Sequence, residues 1–214
     1  MNLKELWNNE YFKTGLMLVI VLISVFTFWL GSRVVLATEY PFLAVASGSM
    51  RPTLQVGDLI IVHGISNFSE VWAKPYGAEP PGDVLVFHSP IQPEDLIVHR
   101  AVNKFEYDGK WYFITKGDAN SGIDPWVTKL ENGTLIRGAV PQNLIIGKVI
   151  GKIPGLGYIA LNIQKPLGLF IIGLLLFILI MIEFVLPLIF PEKETEKVED
   201  AESNTSIYKG YISN

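Results

Sequence analysis

The amino-acid sequence contains no cysteine among its 214 residues. The chain therefore has no disulfide, no zinc site built on thiolates and no thiol nucleophile. Any covalent catalysis must use a hydroxyl, a carboxylate or an amine. A strong net charge is absent as well, because the formal value is −4 and comes mainly from an acidic run at residues 192–202. Nothing in this charge balance indicates nucleic-acid binding.

Two long stretches contain no charged residue at all. They cover residues 14–32 and 166–182, and both are strongly apolar. A helix of about 19 residues rises roughly 28 Å, which matches the hydrocarbon core of a bilayer. Both stretches are therefore predicted to be transmembrane helices, the first over residues 14–36 and the second over residues 166–190.

The ends of these two segments leave alternatives open. Val35, Leu36 and Ala37 would suit a signal-peptide cleavage site. The apolar stretch before them is longer than the roughly 7–15 residues of a typical signal peptide, however, and this favours an uncleaved anchor. In the second segment, Glu183 either marks the inner end of the helix or is a charge within the membrane, where it would be functional.

The residues between the two apolar segments are rich in β-forming side chains. Short runs of these side chains predict five strands, at residues 59–62, 84–87, 96–98, 111–114 and 144–150. Asp108 and Gly109 predict a type I′ hairpin turn. Gly147 predicts a bulge or bend in the last strand.

Amphipathic helical patterns are absent from this central part of the sequence. Residues 75–81 and 121–142 contain turn-forming residues and are predicted to be loops. The predicted fold class is therefore mainly β. It consists of a membrane-anchored all-β domain at residues 37–165, with one N-terminal and one C-terminal transmembrane helix.

Residues 47–54 read Ser-Gly-Ser-Met-Arg-Pro-Thr-Leu and follow closely after the first apolar segment. Gly48 allows the backbone to fold tightly, and Pro52 prevents it from continuing as a helix or an inner strand. The hydroxyls of Ser47 and Ser49 are then displayed rather than packed. Because Ser-Gly pairs are also common in ordinary turns, the residue types alone leave both a nucleophile and a surface turn open.

A serine hydroxyl becomes an effective nucleophile only beside a base. The sequence has three histidines. His63 and His88 stand at predicted strand ends, where a surface or capping role is the simpler interpretation. His99 forms a polar pair with Arg100 inside an apolar β run. It is either an exposed residue of an edge strand or a base.

Residues 116–124 carry two carboxylates, Asp118 and Asp124, around a glycine-containing loop. Both could point into one site, where a buried carboxylate can orient an imidazole. An Asx-rich turn and a cation-binding loop are the alternatives. A calcium loop would require a glutamate at its last position, which is missing here, so no metal is predicted.

Taken in order, these three motifs resemble those of type I signal peptidases. Residues 47–54 are similar to the family's serine box, and residues 117–124 to its Gly-Asp-x-Asn…Asp box. Bacterial members have Lys-Arg where this chain has His99 and Arg100, and the archaeal and endoplasmic-reticulum branch has His-Arg. The resemblance extends over residues 14 to about 155.

The resemblance implies a Ser-His-Asp mechanism. Ser49 would be the nucleophile and His99 its base. Asp124 would orient the imidazole, and Asp118 would shape the site or supply charge. The Ser49 amide and the Ser47 hydroxyl would form the oxyanion hole. The resemblance implies neither a cofactor nor a metal.

The same resemblance implies a membrane-bound serine endopeptidase that cleaves N-terminal signal peptides from exported preproteins, after small side chains. Its partners would be these preproteins, the lipid bilayer and the secretion translocon. Because cleavage occurs outside, the β domain would be extracytoplasmic on a multi-pass protein of the cell membrane. Residues 1–13, with Lys4 and Lys13, and the acidic, disordered tail at residues 191–214 would be cytoplasmic.

Two other functions stay open. A self-cleaving relative with a Ser-Lys pair could share the β fold, although such proteins are soluble and the two apolar segments count against this class. A non-catalytic β module tethered to the membrane, such as an accessory subunit, would require the three motifs to be coincidental.

Overall fold

Nine β-strands and three α-helices form in the part of the chain that the structure describes, residues 10–163 and 165–181 of a computed structural model. The strands are β1 (Phe42–Ala44), β2 (Leu59–His63), β3 (Val84–His88), β4 (Leu96–Tyr107), β5 (Lys110–Lys116), β6 (Val127–Lys129), β7 (Leu135–Arg137), β8 (Ala139–Pro141) and β9 (Ile145–Ile153). The helices are α1 (Glu10–Val35), α2 (Gly157–Ile163) and α3 (Pro166–Ile180). All five predicted strands form, and the mainly β fold is confirmed.

Seven of the strands form one antiparallel sheet, in the order β1-β2-β9-β3-β4-β5-β8. β9 comes last in the chain yet lies between β2 and β3. On β3, Val84 and Val86 pack into one apolar cluster, whereas Leu85 and Phe87 pack into another. Successive side chains of a strand point to opposite faces, so the sheet has an apolar core on each face.

The turn between β4 and β5 has the predicted form. Asp108 and Gly109 have φ values of 50° and 69°, and a type I′ turn requires both to be positive. Tyr107 and Lys110 pair across the turn. The register of β9 against β3 shifts beside Gly147, in agreement with the predicted bulge.

The prediction that residues 121–142 form a loop is wrong. This segment contains β6 and β7, which pair as a separate two-stranded sheet, and β8, which forms one edge of the main sheet. Each of these strands is three residues long, too short for an alternating pattern to be recognised. The short helix α2 is also missing from the predicted elements.

An exposed ion pair links β5 to the β6–β7 hairpin. Lys110 Nζ donates a hydrogen bond to Glu131 Oε1 at 2.7 Å. This hydrogen bond, together with the attraction between the charges, raises the pKa of Lys110 and lowers the pKa of Glu131. Both groups are exposed to solvent, so the pair contributes little to stability.

α1 is the longest apolar element of the described chain. Its stretch Phe12–Val35 has 24 residues and a mean hydropathy of 2.2, and its most apolar window is not buried within the protein. By length and composition this helix could cross a bilayer. It agrees with the first predicted span.

The second apolar segment is only partly described. α3 is apolar but has 15 residues, and it reaches the length of a span only if it is counted together with α2. The remainder of the segment predicted at residues 166–190, including Glu183, lies outside the described residues. The predicted tail at residues 191–214 also lies outside them, as do residues 1–9 of the predicted head. A C-terminal transmembrane helix therefore stays a prediction.

The segment just after α1 is hydrogen-bonded directly to the end of β2. Gly64, just after β2, donates its N–H to the carbonyl of Leu36 at 2.8 Å. A Cβ atom on Gly64 would lie 2.0 Å from the carbonyl oxygen of Ala37, so only glycine allows this approach. Phe28 of α1 also stacks on Phe42 of β1, with ring centroids 6.1 Å apart. Helix and sheet are therefore joined without a flexible linker.

The substitution Gly64→Ala tests this junction. The added methyl group cannot fit beside the Ala37 carbonyl unless the backbone moves, so we expect the free energy of unfolding to fall by about 1–3 kcal/mol. Gly31→Ala in α1 is the matched control, because apart from its chain neighbours and the backbone of its own helix no described atom lies within 4 Å of its Cβ position. Denaturation in detergent, followed by circular dichroism, measures both variants. Wild-type stability of Gly64→Ala would contradict the tight junction.

Candidate active site

The serine motif forms the turn between β1 and β2. Met50 and Leu54 point into the apolar core, with 1% and 2% of their surface exposed, and they hold the turn against the sheet. The serines at positions 47 and 49 are not buried. The hydroxyls of Ser47 and Ser49 are therefore displayed, as predicted from the motif.

His99 lies on β4, which has a neighbouring strand on each side. The alternative of an exposed residue on an edge strand is therefore wrong, and only 9% of the residue is accessible. Its Nε2 lies 3.1 Å from the hydroxyl oxygen of Ser49, and its Nδ1 lies 2.7 Å from a carboxylate oxygen of Asp124. The imidazole therefore connects the serine to the carboxylate through both ring nitrogens.

Asp124 is buried at the end of the loop that follows β5. Its amide donates to the carbonyl of Thr115 at 3.0 Å. The hydroxyl of Thr115 donates back at 2.7 Å, to the same carboxylate oxygen that contacts His99. A backbone and a side-chain contact thus orient the carboxylate toward the imidazole. The motifs did not predict a role for Thr115, whose signal in the sequence is a hydroxyl within an apolar strand.

Asp118, the other predicted carboxylate, binds Arg100 rather than His99. The guanidinium donates two hydrogen bonds to it, at 2.8 and 2.6 Å, and the hydroxyl of Thr53 donates a third. Arg100 also donates to the carbonyl of Gly82. Only 4% of the Arg100 side chain and 1% of the Asp118 side chain are exposed. This buried ion pair joins β4, the serine turn and the loop after β5.

Two further contacts fix the position of the serine. The carbonyl of Ser49 accepts the amide N–H of Ala119 at 2.9 Å, which ties the serine turn to the loop after β5. The hydroxyl oxygens of Ser47 and Ser49 are 3.2 Å apart, within hydrogen-bond distance of each other. The structure therefore brings all the predicted site residues to one end of the sheet.

An aromatic side chain without a predicted role lies beside the imidazole. The indole of Trp126 stacks on His99, with ring centroids 6.5 Å apart and planes 17° from parallel. Phe87 meets the indole edge-on at 5.6 Å. Only 6% of Trp126 is exposed, and its N–H lacks a hydrogen-bond partner among the described residues. A buried donor left unsatisfied costs about 1–3 kcal/mol.

The other two histidines lie at strand ends, as predicted, and contact backbone carbonyls. His63 Nδ1 lies 2.6 Å from the carbonyl oxygen of Gly64, and His88 Nδ1 lies 2.6 Å from that of Pro93. Within the described ranges, no group of three or more His, Asp or Glu side chains is arranged to hold a metal ion.

These contacts support nucleophilic catalysis by a hydroxyl. An imidazole within hydrogen-bond reach of a serine can take the hydroxyl proton. A buried carboxylate on the other ring nitrogen selects the tautomer that leaves Nε2 free to accept it. The arrangement Ser49–His99–Asp124 has all three groups in contact.

No protein-family model matches the chain. Among curated proteins, it is similar to the signal peptidase complex catalytic subunit SEC11 of Eremothecium gossypii. The two are 32% identical over 150 residues, which are 69% of this chain and 80% of the relative. The SEC11 subunit of Lachancea thermotolerans is 34% identical with the same coverage. That of Metarhizium robertsii is 33% identical over 74% of this chain and 87% of the relative.

The chain belongs to the family of signal peptidase complex catalytic subunits. Its predicted resemblance to the endoplasmic-reticulum branch of type I signal peptidases is confirmed at this level, and so is the prediction of an enzyme, a signal peptidase of the serine protease class. A non-catalytic β module is not favoured, because the relatives in this family are named as catalytic subunits. A self-cleaving Ser-Lys relative is not favoured either.

The substitution Thr115→Val tests the support of the carboxylate. It removes the hydroxyl and keeps the shape of the side chain. A hydrogen bond to a charged group is worth about 1.5–3 kcal/mol, so we expect kcat for peptide cleavage to fall roughly tenfold or more. Thr115→Ser, which keeps the hydroxyl, should retain most of the activity. Wild-type kcat in folded Thr115→Val would show that Asp124 needs no such support.

Alanine at each carboxylate separates the two aspartates. Asp118→Ala leaves Arg100 buried and unpaired, so we expect the free energy of unfolding to fall by about 3–5 kcal/mol. Asp124→Ala should reduce turnover more than Asp118→Ala does, because the imidazole loses its orienting partner. Denaturation and initial rates are measured on the same preparations. If turnover of the folded variants follows the opposite order, the orienting role belongs to Asp118.

Proposed function

We propose that this chain is a membrane-bound serine endopeptidase that cleaves N-terminal signal peptides from exported preproteins. The observation that carries the proposal is the unbroken set of contacts from Ser49 through His99 to Asp124, at 3.1 and 2.7 Å. The substrate class follows from the relatives, which are named signal peptidase complex catalytic subunits.

In the proposed reaction, His99 Nε2 takes the proton of Ser49 Oγ as this oxygen attacks the carbonyl carbon of the scissile peptide bond. Asp124 accepts the Nδ1–H hydrogen bond and stabilises the imidazolium. His99 then gives its proton to the departing amine, the C–N bond breaks, and the signal peptide remains as an ester on Ser49. A water molecule, deprotonated by His99, hydrolyses the ester and restores the hydroxyl.

The oxyanion that forms on the carbonyl requires hydrogen-bond donors. We assign this role to the amide of Ser49 and the hydroxyl of Ser47, which lies 3.2 Å from Ser49 Oγ. Removing one such donor raises the barrier by about 2.7–4 kcal/mol in other enzymes. The Ser47 hydroxyl would therefore increase the rate substantially without being indispensable.

The surroundings of the nearby lysines argue against a lysine base. Lys104 Nζ donates to the carbonyls of Ser69 and Val71. It also lies over the ring of Trp111. Lys116 lines a small cavity with Tyr76 and Asp118. Within the described chain, neither lysine forms a hydrogen bond with Ser49, whereas His99 does.

We assign the membrane anchor, predicted at residues 14–36, to the apolar helix α1, because its surface is exposed and strongly apolar. The β domain, residues 37–165, would then lie on the extracytoplasmic face of the cell membrane. A second transmembrane helix at residues 166–190 would return the chain to the cytoplasm. Residues 1–13 and the acidic residues 191–214 would be cytoplasmic ends of this multi-pass protein.

The edge strand β1 is the proposed docking site for the substrate. β1 lies at one edge of the described sheet, paired with β2, and it leads directly into the serine turn. An extended peptide can add to such an edge through main-chain hydrogen bonds. The apolar segment of the signal peptide would lie beside α1, and association with the secretion translocon would supply the preprotein.

Cleavage of a purified preprotein, with the full chain in detergent or liposomes, tests the proposal. Ser49→Ala and His99→Ala should reduce cleavage to background, because the nucleophile and the base are lost. His99→Lys should not restore it. Lys104→Ala and Lys116→Ala should keep most of the activity. Near-wild-type turnover in His99→Ala, with loss in Lys116→Ala, would overturn the Ser-His-Asp assignment and favour a Ser-Lys pair.

A further inference from the structure

We infer that Trp126 is a positioning residue for the catalytic imidazole. Its indole lies nearly parallel to the imidazole of His99 and keeps the ring in the plane in which both nitrogens reach their partners. This inference rests on the proposed role of His99 as the base.

The two contacts of His99 depend on the rotation of its ring. Its nitrogens lie in the ring plane, at 3.1 Å from Ser49 Oγ and 2.7 Å from Asp124 Oδ2. The torsion that rotates an imidazole is broad, and the hydrogen bond to Asp124 by itself restricts rotation of the ring about that bond only weakly. A flat side chain stacked at 17° from parallel, with centroids 6.5 Å apart, opposes this swing.

The indole is itself held from two directions. Phe87 on β3 packs edge-on against it at 5.6 Å. The backbone carbonyl of Trp126 accepts the N–H of Gly138 at 2.7 Å. Asp124 precedes Trp126 by two residues, with Pro125 between them, and Pro125 restricts the backbone. One short segment therefore supplies the carboxylate to the edge of the imidazole and the indole to its face.

The unsatisfied indole N–H indicates which property of Trp126 matters. A buried indole normally finds a partner for its N–H, yet none is present among the described residues. Phenylalanine would place a flat apolar ring there without leaving a buried donor unpaired. Trp126 also fills space in an apolar core cluster, so a test of its role has to separate lost core volume from loss of the flat ring beside His99. Phenylalanine at position 126 should therefore preserve the alignment of the His99 ring, whereas leucine, which has no flat ring, should not.

The kinetic test compares Trp126→Leu with Trp126→Phe in the full chain, on a purified preprotein in detergent. We expect Trp126→Leu to lower kcat about tenfold or more with little change in KM, because a misaligned base slows the chemical step. Trp126→Phe should stay close to wild type. Trp111→Leu is the matched control, since Trp111 packs against the same apolar cluster, and none of the ring contacts between described residues joins it to His99. It should keep wild-type kcat even if it unfolds at a lower temperature.

Proton NMR supplies a readout that a purely structural role would not change. In the wild type, the proton on His99 Nδ1 should give a far-downfield resonance, assigned by its loss in His99→Ala. The resonance should persist in Trp126→Phe and Trp111→Leu and broaden or disappear in folded Trp126→Leu. Wild-type kcat together with an unchanged resonance in folded Trp126→Leu would overturn the inference.

If Trp126→Leu does not fold, Trp126→Phe decides the question. Folded Trp126→Phe with a large loss of kcat would overturn the inference, because a flat ring would then be insufficient. The proposed function fails separately, when Ser49→Ala or His99→Ala retains cleavage. If Ser49→Ala and His99→Ala are both inactive and Trp126→Leu has wild-type kcat and an unchanged resonance, only the role inferred for Trp126 is wrong.

Discussion

The buried ion pair between Arg100 and Asp118 is the interaction on which the site depends. Arg100 comes from an inner strand of the sheet, and Asp118 from the loop after β5. Thr53, which donates to the same carboxylate, comes from the serine turn. A charge buried this deeply is strongly destabilising without its partner. Forming this pair therefore brings the three motifs together in the folded chain, whether or not the contacts of His99 have formed.

His99 and Arg100 are adjacent on β4, so their side chains point to opposite faces of the strand. Each binds one of the two carboxylates: Asp124 contacts the imidazole and Asp118 contacts the guanidinium. Both aspartates come from the loop after β5, six positions apart in the sequence. In the proposed mechanism the two carboxylates have separate tasks, because Asp118 binds Arg100 and joins the motifs while Asp124 orients the base.

Features with a local cause could be predicted from the sequence. Runs of β-forming residues, both β-branched and aromatic, predicted the five strands, and Asp108 with Gly109 predicted the hairpin turn. The position of His99 on an inner strand could not be predicted, because the strand order depends on pairing between distant segments. The contacts of Thr115 and Trp126 with the site depend on the same long-range packing. The strands within residues 121–142 are too short to show a period.

The close approach of Gly64 to Ala37 has a consequence for the enzyme in a bilayer. The end of α1 is in direct backbone contact with the sheet, so in the proposed orientation helix and sheet tilt as one body. A transmembrane helix can accommodate a change in bilayer thickness by tilting. Such a tilt of α1 would change the distance of Ser49 from the lipid surface. The height at which the enzyme meets a peptide bond would then follow the thickness of the membrane.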